Sequence, residues 1–266
     1  MLLLNYEKLK EKIEQYGRVA VAFSGGVDST LVLATAVEVL GRENVLGLYA
    51  RTPLLPREES GQIKETADKV GAKLLIHKID PYAWPEFISN PPDRCYLCKR
   101  KIYSLFIETC TDQGIPFLLD GTNVDDLQED RPGLKAIQEL GIKTPLAETS
   151  FTKQQVRRVS RQLALPTWDR PSSSCLATRI ASGLEITRDR VAVVAEAEQF
   201  LHNLGYHGCR AKYLDKNVSI ELSAGDIQRC IAAKHHLEIE IFFKSLGFCK
   251  VFLDLSERQG MISRDV

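Results

Sequence analysis

The chain lacks an excess of either charge: its 266 residues carry 35 lysines and arginines against 35 aspartates and glutamates. A net charge of zero provides no long-range attraction to nucleic acid or to an anionic membrane, which excludes binding of either by charge alone. Long apolar runs are also missing. Met1-Leu2-Leu3-Leu4 is ended by Asn5, Glu7 and Lys8, far short of a signal-peptide core, and no later stretch approaches the roughly 18 apolar residues of a membrane span. The expectation is a cytoplasmic protein with neither a membrane nor a nucleic-acid partner. The seven cysteines are odd in number and spread along the chain, a pattern that argues against a disulfide scaffold and leaves each open to packing, metal binding or catalysis. Internal repeats and low-complexity segments are absent. What remains, with 44% hydrophobic residues, describes a globular chain long enough for one large domain, or for a medium domain and a small one.

From Arg18 to about Ser150, short runs rich in Val, Ile and Leu alternate with amphipathic stretches of helical length. Val19 to Phe23, Val45 to Tyr49, Lys73 to His77 and Pro116 to Leu119 read as strands, with helices beginning near Asp28, Arg57 and Tyr96. Tight hairpin signals are lacking, so the strands are expected to be parallel and joined by right-handed crossovers. The result is an α/β fold with a doubly wound parallel sheet and its ligand at the carboxyl ends of the strands. A helix capped by Thr152 is expected to run to Leu163, followed by a Pro- and Ser-rich loop from Pro166 to Cys175. Past Gly183 the pattern changes. Thr187 to Leu204 reads as a helix, Cys209 to Leu214 and Val218 to Leu222 as a β pair, Gly225 to Lys244 as one helix, and Val251 to Leu255 as a last strand. That order predicts a smaller C-terminal α+β domain over residues 183–266 beside a first domain of residues 1–182.

Ser24-Gly25-Gly26-Val27-Asp28-Ser29-Thr30 stands directly after the first strand and leads into a helix. Its glycines let the backbone aim successive N–H groups at an anion, the helix N-terminus adds positive dipole, and Ser24, Ser29 and Thr30 supply hydroxyl donors. The heptad lacks the Gly-Lys-Ser/Thr ending of a Walker A loop and the third glycine of a dinucleotide fingerprint. It is similar instead, residue for residue, to the SGGxDS signature of the PP-loop ATP pyrophosphatases. That resemblance implies cleavage of ATP between its α and β phosphates, with the loop holding pyrophosphate and Asp28 helping to place Mg²⁺. Gly121-Thr122-Asn123-Val124-Asp125-Asp126 follows another strand and brings an acidic pair to the same sheet edge, where it would meet the magnesium nucleotide.

Cys95 and Cys98 form a Cys-x-x-Cys at the start of a helix, between Arg94, Lys99 and Arg100, in surroundings that favour thiolate. Cys175 lies in Ser173-Ser174-Cys175-Leu176-Ala177-Thr178-Arg179. Three readings compete. A structural zinc site needs four closed ligands, and no second pair at finger spacing exists. A redox dithiol has no use for Cys175. An iron–sulfur cluster on three cysteines uses all of them and leaves one iron open. Spacing alone does not decide, since nothing in the sequence brings Cys175 to the pair.

The order of motifs extends the resemblance. The phosphate loop, Trp84 ahead of Cys95-x-x-Cys98, Gly121 to Asp126 followed by Arg131-Pro132-Gly133, Pro145-Leu146, Trp168-Asp169-Arg170-Pro171 and Cys175-Leu176-Ala177-Thr178-Arg179 together resemble the LarE family over nearly the whole chain. These are ATP-dependent sulfur transferases of nickel-pincer nucleotide synthesis. The resemblance implies a small-molecule nucleotide substrate, pyridinium-3,5-biscarboxylic acid mononucleotide, whose carboxylates are adenylated and converted to thiocarboxylates. It also implies a homo-oligomer, with ATP, Mg²⁺ and a [4Fe-4S] cluster as cofactors. Cys175 stands where the family carries its reactive cysteine. Members with that cysteine alone surrender its sulfur and keep dehydroalanine, whereas Cys95 and Cys98 match the three-cysteine subgroup, in which a cluster carries transferable sulfide.

Such a substrate calls for cations. Arg179 lies four residues after Cys175, and Arg210 and Lys212 alternate on a strand and share a face. The family places basic residues on this strand for the nucleotide phosphate, and Glu221 on the neighbouring strand matches one of its acidic positions. Cys110, Cys209, Cys230 and Cys249 lie in apolar patterns and are expected to pack as small hydrophobes. Two other functions remain open. A tRNA-thiolating PP-loop enzyme would want a basic platform, yet residues 185–266 hold 11 lysines and arginines against 12 acids. A non-catalytic nucleotide-binding module would bind ATP without releasing AMP.

Overall fold

The structure, a computed structural model, describes residues 2–55, 59–128, 132–170 and 174–256. Arg57, expected at a helix start, Arg131 and the segment from Pro171 to Ser173 lie outside the described residues. The chain divides into two compact units. The first comprises Met1–Pro53, Arg57–Asp80 and Asp93–Arg170, and the second Leu54–Pro56, Pro81–Pro92 and Pro171–Val266.

In chain order, α1 (Leu2–Glu14), β1 (Val19–Ala22), α2 (Val27–Leu40), β2 (Val45–Arg51), α3 (Glu59–Val70) and β3 (Lys73–Lys78) open the first unit. A short helix α4 (Pro85–Ile88) belongs to the second unit, after which α5 (Arg94–Asp112), β4 (Phe117–Leu119), α6 (Val124–Gln128), α7 (Pro132–Glu139), α8 (Pro145–Glu148) and α9 (Lys153–Gln162) complete the first. The second unit continues with α10 (Arg188–Asn203), β5 (Arg210–Leu214), β6 (Asn217–Glu221), α11 (Ala224–Ala232), α12 (His235–Ser245) and β7 (Lys250–Leu253).

The first unit is built on a parallel sheet of order β3-β2-β1-β4. All four residues of β1 are buried, as its unbroken Val-Ala-Val-Ala run requires of a central strand covered on both faces. Alternation divides them: Ala20 and Ala22 pack with Tyr103, Phe106 and Cys110 of α5, so Val19 and Val21 face the opposite layer, where α2 lies against β1 and β2. The order of strands places the carboxyl ends of β1 and β4 side by side, and the loops that follow them form the candidate site. Thr152 caps α9 as expected, in a full capping box with Gln155.

In the second unit β5 and β6 are antiparallel and β7 joins β6 in parallel. Leu201, Tyr206, Val218, Cys230, Ile239 and Phe243 form its core. The single helix expected from Gly225 to Lys244 is two helices, broken at Lys234, which takes the left-handed conformation at φ 58°. The reason is geometric. Nine residues at about 100° each would set Cys230 and Ile239 on opposite sides of one continuous helix, whereas the break turns both into the same core. Cys249, expected to pack, is exposed just ahead of β7; Cys110, Cys209 and Cys230 are buried.

Candidate active site

The phosphate loop is held by its own hydroxyls. Ser29 Oγ lies 3.1 Å from Ser24 Oγ, accepts from Ser24 N at 3.2 Å and donates to the Gly26 carbonyl at 3.2 Å. Thr30 is fully buried and donates to the same carbonyl at 2.8 Å, so its hydroxyl braces the loop from behind. Gly25 has φ +76°, a left-handed conformation that requires glycine, and a Cβ there would stand 2.1 Å from Ile63 Cδ1, so that side chain would also have to turn aside. Arg170 Nη1 donates to the Gly25 carbonyl at 2.9 Å, and Arg157 in turn donates to the carbonyls of Trp168 and Arg170.

Asp28 opens α2 and meets the turn after β4. Asn123 Nδ2 donates to Asp28 Oδ1 at 3.1 Å, while Lys153 Nζ forms an ion pair with the other carboxylate oxygen. The expected acidic pair is engaged locally: Asp125 accepts from the Lys153 backbone N–H at 2.7 Å, and Asp126 accepts from Asn123 N at 3.1 Å. Gly121 is what lets the two loops meet. A Cβ on it would come within 2.7 Å of Ser29 N, a backbone atom that cannot move without moving the phosphate loop. Lys153 was not among the expected site residues. Its signal was a lysine in the first turn of α9, where the helix macrodipole disfavours a cation unless an anion faces it.

A cavity of about 440 Å³ lies beside this loop, lined by Ser24, Asp28 and Ser29, by Cys95, Lys99 and Tyr103 of α5, and by Asp120 to Thr122 with Asp126. Cys95 and Lys99 are one helical turn apart and therefore share the face of α5 toward the cavity. Lys99 Nζ stands 3.6 Å from Asp120 Oδ2 and 5.0 Å from the Tyr103 ring centre. Asp120 also accepts from the Thr122 N–H at 2.7 Å and from the hydroxyls of Thr122 and Tyr103. Burial alone would raise the Asp120 carboxyl; the Lys99 ammonium and these hydrogen bonds outweigh it and hold the group below the usual carboxylate range. Burial and the adjacent Asp120 push the Tyr103 phenol well above its ordinary value, so it stays a donor. Arg94 Nη2 points at Cys95 Sγ, 3.7 Å away. Cys98, half-buried, does not line the cavity.

In the second unit Cys175 is half-buried at the head of a 3₁₀ turn, Leu176–Arg179. Arg179, expected to meet substrate, is only 6% exposed. Its Nε and Nη2 bind the two carboxylate oxygens of Glu198 at 2.6 and 3.3 Å, and its Nη1 bonds Ser174 Oγ and Thr178 Oγ1 at 2.6 and 2.8 Å. Lys212 pairs with Glu221, which the strand register sets opposite Arg210. Glu198 went unread in the sequence, since one glutamate inside an amphipathic helix carries no mark of burial. Among the described residues no three His, Cys, Asp or Glu side chains are gathered to hold a metal ion, and no helix is long and apolar enough to cross a membrane.

A parallel sheet with an SGGxDS loop at the end of its central strand, faced by the Gly-Thr-Asn-x-Asp-Asp turn of the neighbouring strand, defines a PP-loop ATP pyrophosphatase fold. A family model described as NAD synthase matches residues 5–86. The chain is 36% identical over 265 residues to an uncharacterized protein of Synechocystis sp., covering 99% of this chain and 98% of that one. It is 35% identical over 238 residues to the pyridinium-3,5-bisthiocarboxylic acid mononucleotide synthase of Lactiplantibacillus plantarum, covering 90% and 86%. An uncharacterized protein of Methanocaldococcus jannaschii is 31% identical over 247 residues, covering 93% and 92%. The chain belongs to the LarE family of ATP-dependent, sulfur-transferring PP-loop enzymes. Membership implies ATP and Mg²⁺.

Proposed function

We propose that this enzyme adenylates the carboxylates of pyridinium-3,5-biscarboxylic acid mononucleotide and converts them to thiocarboxylates, releasing AMP and pyrophosphate. The observation that carries the reading is the shared cavity: Asp28 and the serines of the phosphate loop line the same space as Cys95 and Lys99. The loop amides and Ser24 and Ser29 receive the β and γ phosphates. Asp28 and Asp126 line the cavity as oxygen donors that would hold Mg²⁺, which would supply neutralising charge to the phosphates. Lys153 and Lys99 supply the cationic charge that a Walker loop draws from its own lysine.

Sulfur is delivered through Cys95, Cys98 and Cys175. Three cysteine sulfurs suit a [4Fe-4S] cluster by donor chemistry, and Arg94 Nη2 stands 3.7 Å from Cys95 Sγ, where it would offset the charge of a metal-bound thiolate. When bound, the cluster supplies an iron without a protein ligand, which can carry sulfide. Arg210, Lys212 and Glu221 are assigned to the substrate, the first two to its phosphate. The first unit, expected from sequence as residues 1–182, acts as the nucleotide domain, and the second, expected as 183–266 but taking in Leu54–Pro56, Pro81–Pro92 and Pro171–Val266, as a substrate and assembly domain of a cytoplasmic homo-oligomer.

Lys99→Met is expected to lower kcat for pyrophosphate release by about 10²-fold with little change in the KM for ATP, because an ammonium in the phosphate cavity would act chiefly on the charge that develops in the transition state. Initial-rate kinetics at varied ATP check this. The whole reading is tested by supplying either the carboxylated mononucleotide or bulk tRNA and measuring pyrophosphate. Release that depends on the mononucleotide supports it; release driven by tRNA, or ATP bound without AMP formed, overturns it.

A further inference from the structure

We propose that Arg179 is a positioning residue for Cys175: through its buried pair with Glu198 it clamps both flanks of the cysteine, and it makes no contact with the substrate. The proposal deepens the sulfur-transfer reading and rests on Cys175 taking part in it. A guanidinium offers five N–H donors in one fixed plane. Here Nε and Nη2 are spent on the Glu198 carboxylate, and Nη1 on the hydroxyls of Ser174 and Thr178, which stand before and after Cys175. The direction of the chain of bonds is settled at Thr178. Its single hydroxyl proton goes to the Cys175 carbonyl at 2.7 Å, so its oxygen accepts from Arg179, and the Thr178 N–H adds a second bond to that carbonyl at 2.9 Å.

Glu198 has a further task. Its Oε1 also accepts from the Ala211 N–H at 3.0 Å, between Arg210 and Lys212 on β5. One carboxylate, itself 6% exposed, thereby fixes the cysteine turn to the strand that carries the two cations assigned to the substrate phosphate. A planar bidentate pair suits this better than a lysine would, because its geometry leaves no rotation about the contact. A substrate-reading arginine would instead present its charge to solvent. This one is neutralised and enclosed.

Thr178→Val tests the clamp without disturbing the ion pair, since it keeps the side chain's shape and removes only the linking hydroxyl. In the full chain as purified, without nucleotide, hydrogen exchange of the peptide spanning Ser174 to Ile180 is expected to speed up several-fold while Tm stays near that of the unmodified chain. In turnover, kcat for thiocarboxylate formation should fall about 10-fold, with the KM for the mononucleotide unchanged within about 2-fold. Arg179→Lys should show the same split with a larger loss in kcat, and Glu198→Gln combined with it should cost no more than either alone. Unchanged exchange in Thr178→Val, or a raised KM with unchanged kcat in Arg179→Lys, would overturn the proposal. The exchange measurement needs no sulfur transfer. Absence of transfer by the unmodified chain would therefore count against the function proposed above and not against the clamp.

Discussion

Asp28→Asn is expected to abolish pyrophosphate release while the protein stays folded and still binds ATP. Asp28 is the acid on which two other elements converge, Asn123 from the turn after β4 and Lys153 from the first turn of α9. An asparagine keeps the hydrogen-bonding shape and loses the charge, so the loss would fall on the Mg²⁺ placement proposed for Asp28 and on the seat of Lys153. The phosphate loop's backbone N–H groups remain, which is why binding survives. A fall in kcat of about 10³-fold, or roughly 4 kcal/mol of transition-state stabilisation, is the expected scale. Coupled pyrophosphate assay and ATP titration separate the two effects. Loss of binding in proportion to loss of turnover would mean that Asp28 holds the nucleotide itself.

The second large effect concerns the cysteines. Cys95→Ala, Cys98→Ala and Cys175→Ala should each end repeated sulfur transfer, whereas alanine at Cys110, Cys209 or Cys230 should cost stability only, on the order of 1 kcal/mol for a small buried group. Cys249, which is exposed, should cost nothing measurable. The two sulfur chemistries open to the family leave different marks. If Cys175 gives up its sulfur, each chain works once and its intact mass falls by hydrogen sulfide, leaving dehydroalanine. If sulfide is carried on an iron, the cysteines survive, labelled sulfide enters the product, and turnover repeats. The second outcome is expected, together with iron and sulfide in anaerobically purified protein. Stoichiometric dehydroalanine at position 175 with Cys95 and Cys98 dispensable would replace it with the sacrificial route.

The sheet was legible because β1 is an unbroken apolar run, β2 is apolar apart from Gly47 and its terminal Arg51, and the crossovers between strands have helical length. The phosphate loop was legible because its chemistry is local: seven consecutive residues carry the glycines, hydroxyls and acid. What stayed hidden depends on contacts between distant residues. Lys153 is 125 positions from Asp28 and looks in sequence like any first-turn lysine. Lys99 was read only as a neighbour of the thiols, and its place in the phosphate cavity follows from the packing of α5 against β4. In sequence Arg179 reads as a cation placed to meet the substrate, because Glu198, nineteen residues on, gives no local sign that it is buried with it. The break at Lys234 was missed for a related reason: Gly and Pro, the usual punctuation, are absent there, and the demand of the core for both Cys230 and Ile239 overrides the continuous helical pattern.

The most direct measurement is the mass spectrum of the mononucleotide after incubation with the reconstituted enzyme, ATP, Mg²⁺ and labelled sulfide. The predicted result is replacement of carboxylate oxygen by labelled sulfur, with AMP and pyrophosphate formed in step with each replacement. An unchanged nucleotide, or ADP and phosphate as the products of ATP, would contradict it.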